Sequence, residues 1–223
     1  MKTSVTVLFI IALAAVFAAL LVEWPKSDDE IPAGGPSQTY PWQIEIIDGG
    51  AGIRVFDLIP GRSTLADAIK RFGEEAQVAL FRTTDDRYTV EAYFSHIEVG
   101  KLLGKLVLTL DANSEQVGQW MDRGRDKTIS ESGSLKAIPA GRDKPAIDRL
   151  VLSSLAFLPM VRLNADTLMM RFGEPERRYK DDNGVEHWVW PNRGLNIALH
   201  QGRTKDVLQY QAPGQVESSP SSP

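Results

Sequence analysis

The tetrapeptide Arg-Phe-Gly-Glu occurs twice, at residues 71–74 and again at residues 171–174. The likeness extends upstream in physical character. Thr64-Leu65-Ala66-Asp67-Ala68-Ile69-Lys70 faces Asn164-Ala165-Asp166-Thr167-Leu168-Met169-Met170. Thr64 and Asn164 both suit a helix N-cap, where a side-chain oxygen accepts from an unpaired backbone N–H. Leu65, Ala68, Ile69 and Phe72 have helical spacing, as do Ala165, Leu168, Met169 and Phe172. Gly73 and Gly173 stand where a helix ends in a left-handed residue, and Pro175 reinforces the second stop. Each copy is therefore predicted to open with a short capped helix.

Strand patterns follow each helix. In the first half, residues 77–82 are apolar and β-prone, residues 83–87 read as a turn, residues 88–94 alternate, and Leu106, Leu108 and Leu110 alternate after Gly104. In the second half, residues 176–180 lead to Asp181-Asp182-Asn183-Gly184, a hairpin signal because Asn-Gly accepts positive φ. Residues 185–190 form the partner strand, Leu195, Ile197 and Leu199 alternate, and residues 207–211 make a last strand. Between the halves, residues 114–123 and 144–157 show helical patterns, with a polar, Gly-rich loop between them. Trp42, Ile44, Ile46 and Val55 suggest one or two leading strands, joined through a loop at Gly49-Gly50-Ala51-Gly52. The expected class is α+β: an N-terminal transmembrane helix, then two helix-plus-antiparallel-meander repeats at 41–125 and 159–212, with a linker and connecting helix at 126–158.

Residues 5–22 carry no charge, and Thr6 is their one polar side chain. At 1.5 Å per residue they span about 27 Å, close to the hydrocarbon thickness of a bilayer. Lys2 precedes them; Glu23, Lys26, Asp28, Asp29 and Glu30 follow. Positive charge stays inside, so residues 1–4 are expected in the cytoplasm, 5–24 in the membrane as a single-pass signal anchor, and the body outside. For a Gram-negative source this is an inner-membrane protein with a periplasmic body. A cleaved signal peptide is the alternative, with Val16-Phe17-Ala18 meeting the small-residue rule, although cleavage there would leave an apolar end. Residues 25–40 and 213–223, rich in Pro, Gly and Ser, read as a tether and a disordered tail.

A short capped helix closed by Phe-Gly-x-Pro and followed by an antiparallel meander resembles the module of the β-lactamase inhibitor protein. It is also similar to the SmpA/OmlA (BamE-like) small lipoprotein of the outer-membrane barrel-assembly machinery. The second half offers Asn164, Phe172-Gly173-Glu174-Pro175 and Trp188-x-Trp190; the first offers Gly61-x-Ser63, Phe72-Gly73 and Tyr93-Phe94. The inhibitor is itself a tandem of two such modules. Glu75 stands where that pattern has Pro, Val161 where it has an opening Gly, and no Cys is present to carry a lipid. The resemblance implies a protein-binding module without catalysis.

The chemistry in the chain is sparse. With no Cys, disulfides, thiolate metal sites and Cys nucleophiles are excluded. A net charge of −4 gives no basic footprint for nucleic acid. His96, His187 and His200 lack metal-ligand spacing. The pairs Asp85-Asp86 and Asp181-Asp182 fall in predicted turns, where Asp serves the local backbone. No phosphate loop, dinucleotide fingerprint or nucleophile elbow occurs. No cofactor and no metal are expected. The aromatics have two readings: core over the helix of their own repeat, or an exposed surface that stacks a sugar or anchors a partner. On the second, Trp188, Trp190, Tyr93, Phe94 and His187 are the candidate binding residues. The expected function is an extracytoplasmic module binding another envelope protein in assembly or regulation. The alternatives are a glycan- or peptidoglycan-binding domain using the Trp strand, and a hydrolase of unidentified mechanism.

Overall fold

The computed structural model describes residues 39–73, 76–130, 133–200 and 205–216. The expected membrane anchor, most of the tether and the end of the tail lie outside them. Among the described residues no helix is long and apolar enough to cross a membrane.

The body is α+β. It opens with a small hairpin, β1 (Glu45–Ile47) and β2 (Gly52–Arg54), around a 3-10 turn at Asp48–Gly50. Helix α1 (Leu65–Phe72) is closed at its start by a capping box: Thr64 accepts from the Asp67 N–H, and Asp67 accepts from the Thr64 N–H. The Thr64 N–H and hydroxyl, both donating to the Asp67 carboxylate, hold it below its ordinary range. At its end Gly73 takes φ 65° and donates to the Ile69 carbonyl. Strands β3 (Gln77–Arg82), β4 (Tyr88–Val99) and β5 (Leu102–Asp111) then form a meander, and helix α2 (Ser114–Arg123) buries Val117, Trp120 and Met121.

The stretch expected to be a loop followed by a long helix is largely strand. β6 (Arg125–Ile129) and β7 (Leu135–Ile138) form a hairpin, α3 (Lys144–Ile147) is a single turn, and β8 (Val151–Pro159) is a central strand. So residues 126–158, expected to be a linker, supply three strands. Two physical features make β8 resemble a helix in sequence. Its residues from Leu155 to Pro159 are buried whichever face they belong to, which removes the alternation of a half-exposed strand. A bulge opposite Thr109 and Leu110 also brings Leu152 and Leu155, three apart, to one side.

Helix α4 (Ala165–Phe172) is capped by Asn164, which accepts from the Thr167 N–H, and its C-cap Gly173 has φ 77°. Strands β9 (Arg177–Lys180), β10 (Glu186–Trp190), β11 (Leu195–Leu199) and β12 (Val207–Gln211) complete the chain. Asp181 accepts from the N–H groups of Asn183 and Val185, and Gly184 turns the β9–β10 hairpin at φ 76°. Part of the expected tail belongs to the fold: Pro213–Gln215 is a 3-10 turn and Val216 is buried. Tyr40, expected in the tether, stacks on Trp42.

Ten strands make one antiparallel sheet in the order β6-β7-β3-β4-β5-β8-β12-β11-β10-β9. From either side the middle is reached through a matching series, β3-β4-β5-β8 or β9-β10-β11-β12. The registers match too. Phe94 pairs with Leu106, which pairs with Phe157; Trp190 pairs with Leu195, which pairs with Tyr210. At the seam Phe157 pairs with Leu208 and Tyr210 with Leu155. Each helix-terminal Phe packs on the strand aromatic at the same place, with ring centroids 5.5 Å apart for Phe72–Phe94 and for Phe172–Trp190.

The main core lies on one face, under α1, α2, α3 and α4. Phe56 plugs its seam, edge-on to Phe157 at 5.7 Å and to Tyr210 at 5.4 Å. It stands in a tight turn in which Val55 and Leu58 exchange backbone bonds while Phe56 and Asp57 take φ 54° and 64°. Left-handed geometry costs a non-glycine residue about 1 kcal/mol; burying a whole aromatic ring offsets it.

Candidate binding face

Side chains alternate across a strand, so every residue of the sheet belongs to one of two faces. The first is the helix-covered core. The second is not packed by any of the four described helices. Direct cross-strand pairing defines its rows. One runs Gln77, Tyr93, Val107, Ala156, Gln209, Asn196, Val189 and Arg177 across eight strands. In the next, Lys105 pairs with Leu158, and Val207, Ala198, His187 and Tyr179 pair in series. Tyr93, Val107, Ala156, Leu158, Ala198 and Val207 form a second apolar cluster, separate from the main core.

Polar groups are set into this apolar ground. On β10 and its neighbours they make a ladder: the His187 Nδ1 lies 3.2 Å from Asn196 Oδ1, and the Asn196 amide donates to Gln209 Oε1 at 3.2 Å. The His187 ring stacks on Tyr179 at 4.7 Å, and its Nε2 lies 3.5 Å from the Asp181 carboxylate. Lys105 Nζ lies 5.8 Å from the Tyr93 ring centroid.

The first half differs at the corresponding place. Glu91, paired with Ala79 and Thr109, stands where His187 stands against Tyr179 and Ala198. Glu91 is 3% exposed and, among the described residues, neither carboxyl oxygen has a hydrogen-bond partner, nor has the Thr89 hydroxyl two residues away. Burial pushes the Glu91 carboxyl up to about 7, against the smaller opposing pull of Lys136. Sequence patterning does not single out Glu91, because a Glu in an alternating strand reads as solvent-facing.

The candidate binding residues divide between the faces. Trp188, Trp190 and Phe94 are 4%, 3% and 0% exposed and belong to the helix-covered core. Trp190 Nε1 donates to the Glu174 carbonyl and Trp188 Nε1 to Glu186, so even their polar edges are spoken for. The Arg178 guanidinium lies 4.1 Å over the Trp188 ring. Of the two readings of the Trp strand, core holds and the exposed stacking surface does not: paired with the helix rather than turned from it, these rings fill the layer beneath α4. Tyr93 and His187 lie on the second face, in opposite halves and both buried. Thr64, Phe72, Gly73, Asn164, Phe172 and Gly173 occupy the helix ends that their spacing predicts, but only Gly73 takes the left-handed helical conformation; Gly173, at φ 77° and ψ −173°, does not.

For reaction chemistry the spacing matters. Glu91 on β4 and His187 on β10 are five strand intervals apart, about 24 Å. They cannot share a proton across one substrate. His200, whose pKa burial lowers, has an unpartnered Nδ1; its backbone N–H donates to the buried Asp206, which also accepts from Leu163 N. Asp206 therefore staples two loops. Among the described residues no three of His, Asp and Glu gather as a metal site. No protein-family model, curated protein or solved structure matches the chain.

Proposed function

We propose that this chain is a membrane-anchored, extracytoplasmic protein-binding module without catalysis of its own, acting on an envelope protein in assembly or regulation. The observation that carries the reading is the two-sided character of the sheet. One face is consumed by the helices. The other is a broad, mixed apolar and polar layer built from both halves, with a buried carboxyl that no group of the described chain satisfies. Protein interfaces combine such an apolar centre with matched polar groups. The matching registers and the two Phe–aromatic pairs support a tandem of helix-plus-sheet modules, akin to the β-lactamase inhibitor and SmpA/OmlA proteins. Each module has four strands rather than three. The uncharged run at residues 5–22 and its flanks support a single-pass inner-membrane anchor with the body in the periplasm.

The test is photocrosslinking in cells. A benzoylphenylalanine at Ser154 or Gln209, on the second face, is expected to trap one defined protein. The same label at Glu115 or Asp122, on helix α2, is expected to trap none. Adducts only with abundant bystanders, equal from both faces, would refute the reading.

A further inference from the structure

The two edges of the ten-stranded sheet are built differently. β6 is exposed along its whole length, its ladder with β7 slips between Arg125 and Thr128, and Asp126 there has φ 50°. A bulge and a broken ladder blunt an edge against further pairing. β9, the opposite edge, keeps an unbroken register with β10 over all four residues.

The molecule contains an example of what such an edge can hold. β3 takes the place in the first half that β9 takes in the second, and β7 lies antiparallel on its outer side, pairing Leu80 with Ala137, Phe81 with Lys136 and Arg82 with Leu135. Among the described strands none takes that place on β9. The exposed side chains there are cationic. Arg178 is shared with Glu174 and the Trp188 ring, and Lys180 makes no ion pair among the described residues.

We infer that the outer edge of β9 receives an extended segment of a partner protein, acidic where it faces Arg178 and Lys180, which adds antiparallel as β7 adds to β3. Main-chain hydrogen bonds supply the affinity of such strand addition and alternate side chains its selectivity. The inference rests on the protein-binding reading but uses a different surface, backbone edge rather than sheet face.

The experiment uses the full chain in detergent micelles and the capped peptide acetyl-Glu-Val-Glu-Val-Glu-Val-amide. Amide hydrogen exchange is followed at residues 177–180 and, as an internal control, at residues 125–129. At saturating peptide the outward amides of β9 are expected to exchange at least about tenfold more slowly, with β6 unchanged. Two N-methylated peptides, blocked at every Val or at every Glu, separate strand addition from other contact. One of them loses the effect and the other keeps it, because the two sets of N–H groups point to opposite edges. The inference is overturned by no protection, by equal protection from the Lys-Val counterpart, or by both methylated peptides acting like the parent. It is equally overturned if β9 amides are already as protected as those of β10 before peptide is added, which would mean that the chain fills its own edge. A partner that crosslinks to Ser154 while β9 exchange stays unchanged would keep the face reading and remove this one.

Discussion

The two halves reach one architecture with different material. In the first, strands β4 and β5 are twelve and ten residues long and Phe72 rests on a Phe; in the second, β10 and β11 have five residues each and Phe172 rests on a Trp. The first half inserts α2, β6, β7 and α3 before its fourth strand, and the second runs directly into its own. At corresponding places on the second face, His187 is held by Asn196, Tyr179 and Asp181, whereas Glu91 has no hydrogen-bond partner among the described residues. The helix-covered layer is where the halves agree; the second face is where they have diverged. That is the pattern of a shared scaffold with the selective chemistry moved to one side.

The comparison can be broken most forcefully at the seam. Phe56→Ala removes the ring shared by Phe157 and Tyr210 and is expected to cost about 4 kcal/mol. Urea unfolding followed by separate probes in the two halves should split into two transitions. A single cooperative loss would show that the sheet, rather than the plug, couples them. Gly194→Ala comes next. At φ 60° its added Cβ would lie within 2.0 Å of the Gln211 carbonyl oxygen, so about 3 kcal/mol is expected. Gly184→Ala, at φ 76° with open space around it, should cost only about 1 kcal/mol by the same melt.

A fourth change sharpens the Glu91–His187 contrast. The folded chain keeps the Glu91 proton up to about 7, while the unfolded chain releases it near 4.5. Its contribution is neutral below about 4.5, turns against folding as the pH rises from there, and levels off above about 7. Glu91→Leu is therefore expected to raise stability by about 2 kcal/mol at pH 8, with little gain at pH 4. Denaturation midpoints at pH 4, 6 and 8 check it; a variant that keeps the parent's slope would place the titration elsewhere. The effects at the caps are as small as that of Gly184→Ala. Thr64→Ala and Asn164→Ala should each cost about 1 kcal/mol in thermal unfolding. Thr64→Ala should also raise the Asp67 carboxyl pKa in part, read by NMR titration, because it removes the hydroxyl that donates to the carboxylate and keeps the backbone N–H that also does.

The helix ends were legible from the sequence because capping is local chemistry. Thr64, Asn164, Gly73 and Gly173 act within one turn of where they stand. The Asn183-Gly184 hairpin was legible for the same reason. β8 was not, since the strands that flank it come from distant parts of the chain and its run from Leu155 to Pro159 is buried without alternation. The β6–β7 hairpin, polar and half exposed, had no alternation to reveal it. Trp188 and Trp190 announced a face without saying which. Only their pairing partners, Ile197 and Leu195 on β11, set them beneath α4. Glu91 was hidden more thoroughly still, because a buried charge cannot be told from a solvated one by spacing.

The buried hydroxyl of Tyr210 donates to the Pro41 carbonyl, 169 positions back in the chain. The point where the body's leading end is fastened is thus a strand in the middle of the sheet, beside the seam. A pull on the residues ahead of Thr39 would be delivered there and shared between β8 and β11. The sheet would have to be sheared across several ladders at once, rather than unzipped one outer strand at a time.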